Sequence, residues 1–196
     1  MRGLDVPVSA IIPAAGNSGR MGTHKALLEY GNGHSFANHL VGCFYNYGCN
    51  PVVLVINEQC DSTPVQFQNL VKVVNRHTEK GRSWSIRLGL NHVPEQSACF
   101  IQNIDNPFLE PRLLDKLFES VTPDGYAVPV YQGQGGHPIL LGNSVVDYFR
   151  QHGNIKDLRK ILSRFNRIEV PYPDDRILWN INTPDDYKEF MEQIQK

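Results

Sequence analysis

Short apolar runs that stop at glycine or asparagine alternate along the chain with longer stretches carrying an apolar residue every three or four positions. Val6 to Ala14 is apolar and ends at Gly16-Asn17-Ser18-Gly19, the pattern of a buried strand running into a glycine-rich turn. Phe36, Leu40, Val41, Phe44 and Tyr47 then fall at helical spacing, which predicts a helix over 36–47. Pro51 to Ile56 is a continuous, mostly β-branched run without polar alternation, as in a strand covered on both faces. Val71 to Val74 and Ala98 to Ile101 predict further strands, with a helix over 83–93 between them. Leu113, Leu114, Leu117, Phe118 and Val121 share one helical face behind Pro111, whose missing N–H costs nothing in a first turn.

Beyond this point the pattern changes. Tyr126 to Val130 and His137 to Leu141 predict two strands around the glycine-rich 132–136, followed by helical stretches near 144–152 and 155–164; the region is expected to form an insertion or lid-like layer. The last helix is announced by Thr183-Pro184-Asp185-Asp186, an N-cap, a first-turn proline and acidic residues at the positive helix end. Tyr187, Phe190, Met191 and Ile194 supply its apolar stripe. Repeated βα units predict an α/β fold of three layers, α/β/α, on a mainly parallel, Rossmann-like sheet. No repeat, linker or low-complexity segment interrupts it, and 196 residues fit one domain over 1–196.

Composition narrows the function classes. Nineteen Lys and Arg stand against 20 Asp and Glu, so no global basic field exists to support nucleic-acid binding, and any anion site must be local. Cys43, Cys49, Cys60 and Cys99 form no C-x-x-C pair and no zinc-ligand spacing, which reads as free thiols of a reducing compartment. The early apolar run is too short for a membrane span and lacks a signal-peptide core. A cytoplasmic protein without membrane or nucleic-acid partners is the expectation.

In an open parallel sheet ligands sit at the carboxyl ends of the strands, which directs attention to three loops. Ala14 to Lys25 combines small residues, whose backbone N–H groups can approach an anion, with Arg20 and Lys25. Its glycines at 16, 19 and 22 match neither a Walker loop nor G-x-G-x-x-G, and a mobile turn with solvated cations is the bland alternative. Ile104-Asp105-Asn106-Pro107 puts a carboxylate at a strand end, where it can hold a hard cation against a phosphate or merely cap the turn. Gly81 to Leu90 gathers a glycine, two serines and two arginines at a helix start, suited to an anion or a base edge, or simply well capped.

The order of these segments resembles the MobA-like nucleotidyltransferase superfamily, in particular its molybdenum cofactor cytidylyltransferases. The opening signature L-A-A-G-x-S-x-R-M-G-x-x-K is echoed by Pro13 to Lys25, with proline in place of leucine. G-M-x-x-S-I-x-x-G-L resembles Gly81 to Leu90, and G-D-Q-P-F-L resembles Ile104 to Leu109. The later G-H-P-V-L-F and D-I-D-T-P-E-D-Y segments are similar to Gly136 to Leu141 and Asn180 to Tyr187.

The resemblance implies the nucleotidyltransferase form of the fold, like that of A-type glycosyltransferases. It also implies attack by a terminal phosphate of an acceptor on the α-phosphorus of a nucleoside triphosphate, releasing pyrophosphate. Ala14, Ala15, Gly16, Asn17, Ser18, Gly19, Arg20 and Lys25 would surround the triphosphate, with Gly81 and Ser85 near the base or ribose. Arg20, Lys25 and Asp105 would be the catalytic set, and Asp105 with Asn182 would bind Mg²⁺. Ala14-Ala15-Gly16 looks like the A-A-G of CTP-using enzymes more than the A-G-G of the GTP-using branch, which favours CTP.

Two departures bear on the detail. The two aspartates of D-I-D-T-P-E-D are Asn180 and Asn182 here, which lowers the negative charge offered to a metal. The G-D-x-G-A-R of the cytidylyl branch becomes Gly153-Asn154-Ile155-Lys156-Asp157-Leu158-Arg159, which keeps a sugar or polyol phosphate open as acceptor beside molybdopterin. With molybdopterin, a molybdoenzyme would be the partner receiving the product. An inactive nucleotide-binding regulator is the reading of a different class. His137 reads equally as an acceptor contact or a structural residue, and Trp84 and Trp179 as packing rather than stacking platforms.

Overall fold

The computed structural model describes residues 6–16, 19, 21–31, 33–60, 65–152 and 158–194. Strand β1 (Val8–Pro13) opens the chain, and a small antiparallel hairpin, β2 (Glu29–Gly31) with β3 (His34–Ser35), leads into α1 (Phe36–Tyr47). β4 (Val52–Ile56), β5 (Leu70–Val74), α2 (Arg82–Leu90), β6 (Ala98–Ile101) and α3 (Pro111–Ser120) follow. β7 (Gly125–Tyr131), β8 (Gln134–Gly135), β9 (Ile139–Leu141), α4 (Asn143–Gln151), α5 (Leu158–Leu162), β10 (Asn166–Pro171) and α6 (Pro184–Ile194) complete the order.

One eight-stranded sheet runs β10-β7-β9-β6-β1-β4-β5, with β8 paired to β7. β5, β4, β1 and β6 are parallel neighbours, as are β7 and β10, while β9 runs antiparallel between β6 and β7. The centre of the sheet is buried on both faces because strands such as β4 and β6 are apolar at every position rather than every second one. Ala10, Ile12, Val52, Leu54, Ile56 and Phe100 face a core with α1, α3 and α6. Ile11, Val53, Val55, Cys99, Ile101 and Leu141 face the other, with α2, α4 and α5. The expected three-layer, mainly parallel architecture is the one found.

Two expectations are corrected. The region beginning at 126 is not a lid-like layer: β7 and β9 are strands of the main sheet, with Ala127 and Leu140 fully buried. Its glycine-rich 132–136 marks the β7–β8 turn and a close backbone approach; a Cβ on Gly136 would collide with the Ile177 carbonyl oxygen. The second correction is β10, which the apolar-run pattern passes over. It is an edge strand that alternates, turning Val170 inward and Arg167 and Glu169 outward as an ion pair at 2.8 Å.

The cysteines are free thiols, with Cys49, Cys60 and Cys99 buried, and burial pushes the Cys43 thiol up to about 11. Among the described residues no helix is long and apolar enough to cross a membrane. The topology brings the loops after β1, β5 and β6 to one end of the sheet.

Candidate active site

A cavity of about 200 Å³ opens at those carboxyl ends, walled by Ala14 to Gly16, Lys25, Gly81, Arg82, Ser85 and Asn103 to Asp105. The structure thus gathers most of the residues singled out from sequence. Ala14 and Ala15 are buried, and the Ala14 N–H is held by the Val55 carbonyl at 2.7 Å, so the chain leaves β1 still tied to β4. Gly16 and Gly19 are exposed. Asn17, Ser18 and Arg20 lie outside the described residues, as do positions 153–157 of the acceptor segment.

Asp105 is fixed from two sides. Asn106, fully buried, donates to the Ile177 carbonyl at 2.8 Å and accepts from the Phe108 N–H, which locks the turn after β6. The Asp105 carbonyl in turn accepts from the Ile181 N–H at 2.8 Å, and this draws the turn before α6 up beside it. That turn carries Asn182, whose backbone N–H donates to the Asp186 carboxylate at 2.8 Å. Asp186 and Thr183 cap α6 reciprocally: the carboxylate accepts from the Thr183 N–H, and Thr183 Oγ1 accepts from the Asp186 N–H. These backbone donors, the Asn182 N–H foremost, hold the Asp186 carboxyl below the usual carboxylate range.

Lys25 closes the constellation. Its Nζ donates to Asn182 Oδ1 at 2.7 Å and lies 3.5 Å from Asp105 Oδ2. An ammonium group can only donate, so the Asn182 amide is oriented with its carbonyl oxygen toward Lys25 and its Nδ2 on the Asn180 carbonyl. Asp105 Oδ1 is buried with no hydrogen-bond partner among the described residues. Asp105 Oδ2 and Asn182 Oδ1 therefore converge on Lys25 beside the cavity, while Asp105 Oδ1 is left unsatisfied. No group of three or more His, Cys, Asp or Glu side chains able to hold a metal occurs among the described residues. This donor set suits a cation that arrives with phosphate oxygens and retains waters, as Mg²⁺ does, better than one caged by protein alone.

At the other wall, Gly81 adopts φ +75° as the N-cap of α2, a backbone conformation that side chains disfavour. Ser85 Oγ accepts from Asn75 Nδ2 at 3.0 Å, while Asn75 Oδ1 takes the His77 N–H. The amide is thus pinned, and the Ser85 hydroxyl proton is left to donate elsewhere. Asn180 is exposed, with its Nδ2 on the Leu178 carbonyl. Neither tryptophan lines the cavity: Trp84 lies under Lys80 and Arg87, and Trp179 packs edge-on against Phe190.

Two further residues line the cavity: Arg82, which the sequence marks only as one of two arginines at a helix start, and Asn103, which it does not single out. Arg82 sits in the first turn of a helix entered from a strand's carboxyl end, and that position was the available signal. Asn103 carries none, being one more polar residue after an apolar run. Arg82 Nη1 donates to Asn103 Oδ1 at 2.8 Å, and Asn103 Nδ2 meets His137 Nε2 at 2.8 Å. Burial, followed by the Arg82 charge, pushes the His137 pKa down to about 4. A larger groove of about 730 Å³ lies between α1 and α3, but Glu110, Asp115 and Glu119 line it and would repel a polyphosphate.

Comparison with known proteins agrees with this arrangement. The model of the MobA-like NTP transferase domain matches residues 10–169. The molybdenum cofactor cytidylyltransferase of Escherichia coli (strain K12) is 26% identical over 183 residues, covering 92% of this chain and 93% of that protein. Among solved structures, Rv0371c of Mycobacterium tuberculosis H37Rv superposes with a TM-score of 0.79 at 19% identity, over 96% of this chain and all of that one. Its complex with manganese gives 0.73 at 17% identity with the same coverage. The 2-C-methyl-D-erythritol 4-phosphate cytidylyltransferase of Thermus thermophilus gives 0.73 at 17% identity, over 97% of this chain and 100% of that one. These structural likenesses establish the fold.

Proposed function

This chain belongs to the MobA-like NTP transferase family, and from that premise we propose that it is a Mg²⁺-dependent cytidylyltransferase moving CMP from CTP onto a phosphate-bearing acceptor, with molybdopterin the favoured acceptor. The observation that carries the reading is the meeting of Lys25, Asp105 and Asn182 beside the cavity floored by Ala14-Ala15-Gly16. The molybdenum cofactor cytidylyltransferase likeness, over nearly the whole of both chains, supports the base and the acceptor.

The reaction joins an acceptor phosphate oxygen to the α-phosphorus and breaks the bond from that phosphorus to the oxygen bridging toward the β-phosphate. Pyrophosphate leaves with the charge. Catalysis of this kind is mostly positioning and charge neutralisation. The backbone N–H groups around Gly16 and the ammonium of Lys25 receive the triphosphate, Lys25 bearing the charge that grows on the leaving group. Ser85 offers its hydroxyl proton to the nucleoside. Asp105 and Asn182 would hold Mg²⁺, which when bound withdraws charge from the α-phosphate. Arg20 is assigned to the phosphates by its place in the signature.

The test is pyrophosphate release from CTP and Mg²⁺ in the presence of molybdopterin, with the cytidylylated product identified by mass spectrometry. Turnover that disappears in Asp105→Ala while the far-ultraviolet circular dichroism is kept is the expected result. Turnover with a sugar or polyol phosphate instead would move the acceptor. CTP binding without turnover on any acceptor would make the chain a nucleotide-binding regulator, for which the neutral Asn180 and Asn182 are the structural basis.

A further inference from the structure

Arg82, Asn103 and His137 form a hydrogen-bonded line whose polarity the chemistry of the groups decides. Arginine has donors only, so Asn103 must present Oδ1 to Arg82 Nη1 and therefore Nδ2 to His137. His137 Nε2 must then accept, which leaves the imidazole neutral with its proton on Nδ1. The far end of the line is anchored: the His137 N–H donates to the Ile177 carbonyl at 3.0 Å, and Ile177 packs so closely on Gly136 that no side chain would fit there. The near end is open. Arg82 lines the cavity beside Asp105, and among the described residues no carboxylate stands within ion-pair distance of its guanidinium. A single hydrogen bond to Asn103 leaves its other N–H groups to face an incoming anion.

We propose that Arg82 holds a phosphate oxygen of the bound substrates, and that His137, acting through Asn103, is the positioning residue that aims it. The proposal rests on the nucleotidyltransferase reading above for the identity of its phosphates, though not for the polarity of the line. The phosphate belongs either to the nucleotide or to the acceptor, and two titrations separate these sources.

The full chain is titrated calorimetrically with CTP, and the CTP-loaded chain with inorganic phosphate, for the wild type, Arg82→Ala, His137→Phe and His137→Gln. Arg82→Ala weakens one of the two titrations by about tenfold or more, the scale of a lost charge-assisted hydrogen bond. Loss in the first assigns the phosphate to the nucleotide, and loss in the second to the acceptor. His137→Phe, which cannot accept from Asn103, weakens the same titration by about tenfold, the lower end of the usual cost of removing an orienting partner. His137→Gln, whose side-chain oxygen can accept, restores most of it. The Arg82→Ala/His137→Phe pair binds no worse than Arg82→Ala alone.

Wild-type affinity of Arg82→Ala in both titrations, or failure of the wild type to bind any of these anions, overturns the phosphate assignment. Additive losses in the pair, or no restoration by glutamine, overturn the positioning role. Imidazole ¹⁵N shifts supply a readout that needs no His137 variant. The wild type shows a protonated Nδ1 and a bare Nε2, and Arg82→Ala, no longer pinning the amide, shows a mixture of tautomers. A protonated Nε2 in the wild type overturns the line itself. Absence of CTP binding, with inorganic phosphate still bound and that binding weakened in Arg82→Ala, would count against the cytidylyltransferase reading alone.

Discussion

Lys25 is the residue on which the site's electrostatics turn, because its one ammonium group touches both Asp105 and Asn182. If it bears the charge that develops on the leaving group, Lys25→Ala lowers kcat/KM by about 2–4 kcal/mol, with kcat falling as well. A rise in KM alone, measured by steady-state pyrophosphate release, would show that Lys25 binds ground state and transition state equally. Asn182 provides the complementary test. If its Oδ1, which accepts from Lys25 beside Asp105, is also a ligand of the cation, Asn182→Asp adds a second carboxylate there and tightens Mg²⁺, read as a lower metal concentration for half-maximal activity. An unchanged Mg²⁺ requirement would reduce Asn182 to a residue of the helix entry.

At the scale of elements, the site depends on α6 starting where it does. The reciprocal cap between Thr183 and Asp186 also ties down the Asn182 N–H, so one cluster ends the turn, begins the helix and sets a candidate ligand. Thr183→Ala is expected to cost about 1 kcal/mol of stability in urea unfolding, the usual loss on removing an N-cap. It should also raise the Mg²⁺ requirement, since Asn182 loses part of its support. A stability loss with an unaltered metal requirement would separate the cap from the site. α2 makes a second case of helix placement serving the cavity: Gly89 lets it lie so close on β1 that a Cβ would come within 2.7 Å of Ile11. That packing holds Gly81, Arg82 and Ser85 against the loop after β1.

At the scale of the whole molecule, the protein should lose stability in mild acid. Burial holds the pKa of both His39 and His137 down at about 4, against 6.5 for the free side chain. Between those values the unfolded chain binds protons that the folded one refuses, so stability rises with pH through the window and falls as pH drops through it. The scale is of the order of 3 kcal/mol for each histidine. Asp174 and Asp186, held below the usual carboxylate range, extend the loss below about pH 4. Urea unfolding at pH 7 and pH 4.5 measures this, and His39→Gln should flatten the slope; equal stability at both values would contradict it.

The parallel core and its helices were legible in sequence because strands buried on both faces leave uninterrupted apolar runs such as Val52 to Ile56. β10 was not, since an edge strand buries only one side and Arg167 and Glu169 break the run. The membership of β7 and β9 in the main sheet was hidden for another reason, that pairing partners are a property of topology rather than of local pattern. In the site, Lys25, Asp105 and Ser85 were visible through motif order. The Arg82 to His137 line was not, because it joins three segments far apart in the chain.

Binding of a nucleoside triphosphate at the carboxyl ends of the strands, together with a divalent cation, is the central claim. Calorimetric titration with CTP, GTP, UTP and ATP, each with and without Mg²⁺, tests it. Binding selective for CTP, strengthened by Mg²⁺ and with that strengthening lost in Asp105→Ala, is the result predicted. Binding of none of the four would contradict it.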